Sequence, residues 1–266
     1  MTASFDLARS LVPVSAEEVT WDVPDGWQQG RGAFGGLLLA TLLDAMQSRE
    51  PDPARLPRAI TGEICGPCLA VSSRIATHVL RRGNNQTNVT SLLRQENEIV
   101  AHASLTMATP RRVTDVPPMG MSPPPRPRWE DVNVAPIAPP LGPAFAQHYE
   151  FRIVGTPPFT AAKEAEVTGF IRERTALSRL THAALVGRLD AFYPALFNVS
   201  SSPRPMATVS FMAEFLVDPS TLDPATPLFY RARSIAEAGG YVVELRELWH
   251  GDSVVALNQQ TFAILK

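Results

Sequence analysis

The sequence predicts an α+β protein built from two helix-on-antiparallel-sheet repeats that form one continuous pseudo-symmetric unit. Three observations lead there. Each half carries an apolar helical segment that ends near an aspartate, Asp44 in the first and Asp190 in the second. Each of these is followed by a run of alternating segments bounded by turn residues. Between the halves lies a proline-rich bridge. A helix and a sheet that each bury one apolar face need a partner to cover it, so the two copies are expected to pack together. A groove between them suits a long apolar ligand.

Element by element, Phe5, Leu7, Val19, Trp21 and Val23 read as short extended pieces, closed by a turn at Pro24-Asp25-Gly26. Over 35–47, Leu37, Leu38, Leu39, Leu42, Leu43 and Met46 surround Ala40, Thr41 and Ala45. That predicts a helix apolar on most sides, as one wrapped by a sheet must be. Glu50-Pro-Asp-Pro53 ends it. Strands are expected at 58–65, 70–80, 85–95 and 98–109, with reversals at Arg82-Gly83-Asn84 and Glu96-Asn97. Residues 110–143 hold eleven prolines; proline fixes φ and removes a donor, so this stretch reads as a semi-rigid linker outside the core. Beyond it, strands are expected at 148–154 and 164–174, a helix at 176–192, and strands at 207–216, 228–234, 241–249 and 253–265. The organisation is thus 1–109, linker 110–143, and 144–266. The last segment, from Val254, can be set against the one from Ile99 without a gap, which puts Leu105 at the position of Gln260.

Bulk chemistry excludes several classes. The chain has 266 residues, 45% hydrophobic and 19% charged, with a formal charge of −2. That offers no steering field for nucleic acid or an acidic membrane surface. No apolar run approaches the length of a membrane span. The first ten residues lack the basic start and apolar stretch of a secretion signal, and two cysteines make no disulfide scaffold, so a cytoplasmic location is expected.

Some motifs are best discounted. Gly30-Arg-Gly-Ala-Phe-Gly35 matches the dinucleotide-binding glycine pattern, but it comes after no buried strand and leads into no βαβ unit. A close-packed helix entry is the better reading. Cys65-Gly-Pro-Cys68 copies the thiol-redox motif, which needs its first sulfur at a helix start; the residues after it, from Leu69 to Thr77, alternate like a strand, so a strand–turn–strand corner is expected. His78, His102, His148, His182 and His250 form no legible acid–base pair or zinc spacing, and Ser202 and Ser210 lack a nucleophile elbow. No metal or cofactor is expected.

From Trp27 onward the chain resembles the double hotdog acyl-CoA thioesterases of type II. The resemblance is carried by Gly35-Gly36, by Leu80-Arg-Arg-Gly-Asn84, by Leu189-Asp-Ala-Phe-Tyr-Pro-Ala-Leu196, by Ala207-Thr-Val-Ser210 leading to Phe215, and by the segment from Val254 to Ala263. It implies a hotdog, a long helix wrapped by an antiparallel sheet, twice in one chain. It also implies hydrolysis of acyl-CoA thioesters that depends on an aspartate, a threonine and a glutamine of the second half. These carry over as Asp190, Thr208 and Gln260. Where the family has an acidic–histidine pair after the threonine, this chain has Ser210 and Phe211.

The residue types suit that task. A carboxylate at the end of a buried helix can take a proton from water or hold it against a thioester carbonyl. Thr208 and Gln260 are expected on strands, where rigid backbones aim short polar groups at the same water. Amides at a helix entry, Gly35 and Gly36 being candidates, can stabilise an oxyanion. Arg81, Arg82, Gly83 and Asn84 are candidates for contacting substrate. None of the set is a strong nucleophile, so direct water attack is favoured over an acyl-enzyme. The alternatives are a non-catalytic acyl-CoA or lipid-binding protein and an enoyl-CoA hydratase on the same frame. The resemblance further implies a homo-oligomer.

Overall fold

The computed structural model describes residues 3–111, 114, 117 and 119–265. A single helical turn, α1 (Phe5–Ala8), precedes β1 (Leu11–Pro13), β2 (Glu18–Asp22) and the two-residue strands β3 (Gln28–Gln29) and β4 (Gly32–Ala33). Helix α2 (Gly35–Gln47) follows, then the meander β5 (Leu56–Ile64), β6 (Ser72–Arg82), β7 (Gln86–Gln95) and β8 (Glu98–Ala108). The second half contains β9 (Tyr149–Val154), β10 (Glu166–Glu173), α3 (His182–Ala191) and the short α4 (Leu196–Val199). It closes with β11 (Met206–Phe215), β12 (Leu228–Ala238), β13 (Tyr241–His250) and β14 (Ser253–Ile264).

Twelve strands form one sheet in the order β1-β2-β6-β7-β8-β5-β11-β14-β13-β12-β10-β9. The halves meet where β5 pairs with β11, Ser210 opposite Glu63 and Glu214 opposite Ala59. Helices α2 and α3 pack against each other on the inner face. Leu37, Leu38, Leu39, Leu42, Leu43 and Met46 of α2 are all buried, which explains why that segment is apolar all round. Every residue of α3 is buried as well, including Arg188, whose Nη2 meets Glu173 Oε2 at 2.6 Å.

The repeat holds residue by residue. Strand β5 slips register against β8 between Pro57 and Ala59, and β11 slips against β14 between Thr208 and Ser210. Beyond these matched bulges, Ile60 pairs with Leu105 as Phe211 pairs with Gln260. Leu105 pairs in turn with Val89 as Gln260 pairs with Glu244. Thr208, Gln260, Glu244 and Arg246 therefore correspond to Pro57, Leu105, Val89 and Ser91. The polar set exists once.

Three expectations are corrected. The N-terminal residues expected to be extended include a helical turn, because Ser4 caps Phe5–Ala8 through its hydroxyl. Helix α3 starts at His182 rather than 176, because Thr181 takes the N-cap and its hydroxyl accepts from the Ala184 amide at 3.1 Å. The proline-rich bridge does not stay clear of the core. Ala135 bridges to Phe151, and Ile137 packs on the main core. On the outer face of the sheet, Phe170, Phe229 and Trp249 form a row across β10, β12 and β13, covered by Trp129 and Val132. The Arg152 guanidinium stacks on Trp129 at 4.5 Å and donates to the carbonyls of Trp129 and Val132. The described part of the bridge is thus held to the sheet by one backbone bond, from the Ala135 amide to the Phe151 carbonyl at 2.7 Å, and by the side chains around Trp129.

Candidate active site

Asp190 sits in the last turn of α3, beside the entry of α2. That approach needs glycine: a Cβ on Gly35 would lie 2.9 Å from Asp190 Oδ2, and one on Gly36 would lie 3.0 Å from Asp190 Cβ. The Gly36 amide faces the carboxylate and favours its charged form. The start of α2 thus offsets the unfavourable dipole at the end of α3.

Gln260, on β14, donates from Nε2 to Asp190 Oδ1 at 2.9 Å. Its own Oε1 accepts from the Thr208 hydroxyl at 3.3 Å. The bulge at 208–210 lets Thr208 reach Gln260, although its register partner is Phe262. The three residues named from sequence therefore form one chain of hydrogen bonds, Thr208 to Gln260 to Asp190. Asp190 and Thr208 border a cavity of about 730 Å³; Gln260 is fully buried behind them. The structure brings the three together, with Gln260 between the other two and bonded to both.

Sequence reasoning missed two residues. Arg246, on β13, is 1% exposed, lies 3.6 Å from Asp190 Oδ1 and donates to the Leu189 carbonyl at 2.8 Å. Its Nε donates to Glu244 Oε1 at 2.8 Å. Glu244 Oε2 accepts from the Ala195 amide and the Ser234 hydroxyl. A charged pair spaced i, i+2 on an inward strand face, in Val-Val-Glu-Leu-Arg, was the available signal. Burial pushes the Asp190 carboxyl above the ordinary range, opposed by Arg246, Gln260 and the Gly36 amide. Burial also works against the Arg246 charge, but the carboxylates of Glu244 and Asp190 hold it firmly protonated.

The cavity walls are mainly apolar, with Leu38, Ile64, Phe145, Phe192, Phe197 and Phe262 among them. Its size is that of a small-molecule site. The tip of the β3–β4 hairpin, Gly30 and Arg31, borders it, so the glycine pattern there serves a turn and a helix entry. Cys65-Gly-Pro-Cys68 forms another wall, as a corner between β5 and β6. Cys65 is exposed; Cys68 is buried, which pushes its thiol up to about 11. Ile137 and Pro143 of the bridge complete the enclosure.

Other candidates lie elsewhere. The turn Arg81-Arg82-Gly83-Asn84 does not border the cavity. Arg82 donates to the Arg49 carbonyl just past the end of α2, and Arg55 donates to the Asn84 carbonyl. The thirteen residues of α2 separate this turn from Gly35 by about 20 Å. His182 packs edge-on against Phe215 and is not in the cavity wall. Among the described residues no cluster of His, Cys, Asp and Glu could hold a metal ion. No described helix is long and apolar enough to cross a membrane.

Two helices wrapped by one sheet, with a single carboxylate in the wall of an apolar cavity, define a double hotdog protein. The acyl-CoA thioesterase N-terminal domain model matches residues 23–108, and the acyl-CoA thioesterase C-terminal domain model matches residues 114–264. The chain belongs to the acyl-CoA thioesterase family, and its activity is cleavage of acyl-CoA thioesters. Among solved structures it is similar to a hot dog fold protein of unknown function from Alicyclobacillus acidocaldarius, at 25% identity and a TM-score of 0.89, covering 100% of this chain and 99% of that one. The fold is shared with the TesB protein of Mycobacterium avium subsp. paratuberculosis (16%, TM-score 0.79, 98% of each chain). It is shared too with acyl-CoA thioesterase II TesB2 of Mycobacterium marinum (14%, TM-score 0.78, 98% of each chain). No curated protein sequence matches.

Proposed function

We propose that the thioester is hydrolysed by water attack, with Asp190 as general base, Gln260 as its brace and Thr208 as the polar group facing the substrate. The observation that carries this is the Gln260–Asp190 hydrogen bond at the wall of an apolar cavity. An acyl chain lies along the aromatic and aliphatic walls, and the thioester carbonyl stops beside Asp190. Asp190 removes a proton from water as the water oxygen bonds to the carbonyl carbon; the tetrahedral intermediate then collapses with cleavage of its C–S bond, and the proton on Asp190 passes to the departing CoA sulfur. The Gly35 amide, in a first helical turn where amides lack intrahelical partners, stabilises the oxyanion. Substrates are therefore apolar acyl-CoAs, with chain length set by the cavity.

The test is free-thiol release across short, medium and long acyl-CoAs. Asp190→Asn is expected to lower kcat at least about tenfold with an unchanged circular dichroism spectrum; full activity in that variant overturns the role. Single turnover in H₂¹⁸O should label the free acid and leave Asp190 unlabelled. Label entering the enzyme would mean a covalent anhydride instead.

We also read the chain as cytoplasmic, on its two unpaired thiols, and as a homo-oligomer. Met212, on the outer face of the central strand β11, is 38% exposed and supports a covered sheet face. A single monomer mass by light scattering would reject the oligomer.

A further inference from the structure

Arg246 has no role in the three-residue site, yet nothing about its placement is incidental. Its side chain lies inside the protein with every contact directed at the reacting carboxylate or at the elements beside it. Nη1 is held by the carbonyl of Leu189, the residue before Asp190. Nε is held by Glu244. The guanidinium stands 5.1 Å from the Phe262 ring centre, and Phe262 and Arg246 both line the cavity. Glu244 in turn accepts from the Ala195 amide, tying the Tyr193-Pro194 wall to the same pair. In the first repeat the equivalent residues are Val89 and Ser91, and the aspartate of that repeat, Asp44, is met by Arg9 Nε at 2.8 Å instead.

Resting on the reading of Asp190 as base, we infer that Arg246 is a positioning residue. Clamped by Glu244 and the Leu189 carbonyl, it keeps the Asp190 carboxylate anionic and aimed into the cavity. Other groups facing Asp190 are Glu244 from the same strand, the Gln260 amide from β14, the Gly36 amide from α2, and the phenols of Tyr230 on β12 and Tyr149 on β9. Both phenols are buried and titrate well above the ordinary tyrosine value, so they stay neutral where the enzyme works. Arg246 is the one cation in this set. Of the two charges on β13, Arg246 acts on Asp190 more strongly than Glu244 does.

The test is the pH dependence of kcat/KM for Arg246→Gln and Arg246→Lys, with Asp190→Asn measured alongside. Asp190 must be ionised to accept a proton, so activity falls on the acid side. Loss of the cation raises the pKa of the carboxylate. Arg246→Gln is expected to move the acid limb up by about one pH unit, with kcat near neutrality lowered severalfold and recovering as pH rises. KM should change less than about twofold. Arg246→Lys keeps the charge and should keep the limb near its original position. If Arg246→Gln does not fold with Glu244 left unpaired, Glu244→Gln/Arg246→Gln removes both charges; its limb should still move up, because the stronger influence is lost. An unmoved acid limb in whichever variant folds overturns the inference, as does a loss of activity equal at all pH values. Full activity in Asp190→Asn would instead reject the base itself, so the two failures are distinguishable.

Discussion

Gln260 and Asp190 are 70 positions apart in sequence and joined by a 2.9 Å hydrogen bond between a strand amide and a helix carboxylate. Because an ionised carboxylate only accepts, the glutamine must turn its NH2 toward Asp190, which leaves its oxygen to accept from the Thr208 hydroxyl. Gln260→Leu installs the residue that the first repeat has at the same position. It removes a charge-assisted bond, and kcat is expected to fall about tenfold to a hundredfold. Steady-state kinetics check this; a change confined to KM would mean that Gln260 serves binding alone.

Gly35→Ala tests the tight approach of the two helices. The new methyl would sit 2.9 Å from Asp190 Oδ2 and 3.1 Å from Ile64 Cδ1. Alanine favours a helix by about 0.5–1 kcal/mol, whereas overpacking costs about 1–3 kcal/mol. The expected result is a small net loss in thermal stability with a large loss in kcat. An active, stabilised variant would show that the carboxylate can move aside without consequence.

His182 makes stability depend on pH. Burial pushes its pKa down to about 4, so it is neutral in the folded protein. The unfolded chain binds a proton there below about pH 6.5 and the folded chain does not. This contribution is fully present above that pH and is lost as pH falls toward 4, amounting to about 2–3 kcal/mol at pH 4.5. Denaturant unfolding at pH 7.5 and 4.5 should show a smaller loss for His182→Phe than for the unmodified chain. Equal losses would contradict the assignment.

Cys65 and Cys68 should differ in reactivity. Cys65 is exposed at the cavity wall, and Cys68 is 2% exposed with a raised pKa. A thiol reagent is expected to modify one cysteine in the folded protein and two after unfolding. Modification at Cys65 should block hydrolysis, with acyl-CoA protecting against it, and Cys65→Ser should be insensitive. Rapid labelling of both thiols without loss of activity would place neither at the substrate.

Much of this was legible in the residues. The 35–47 helix coincides with α2 because its leucines leave no polar face, and the hairpins form at their turn residues. Leu105 could be set opposite Gln260 because the two halves keep one spacing through matched bulges. What escaped was set by tertiary contact. Leu177 and Leu180 carry helical spacing but are buried in an irregular approach, since Thr181 is the better cap. Glu244 and Arg246 lie in a segment whose residues indicate a strand and nothing more, and only the closing of the sheet around α3 turns the pair inward. The turn at 81–84 has the expected shape, but helix length alone sets it at the wrong end for the cavity.

The bridge between the repeats has a last consequence. Ile137 and Pro143 belong to a segment outside the named strands, yet they help enclose the cavity, while Asp190 is fixed by helix and strand. In the proposed reaction, selectivity and chemistry thus reside in parts of the chain with different mechanical roles. Substitutions along the bridge can resize the compartment while the proton-transfer machinery keeps its alignment, which gives descendants of this gene a route to new substrates that need not pass through an inactive enzyme.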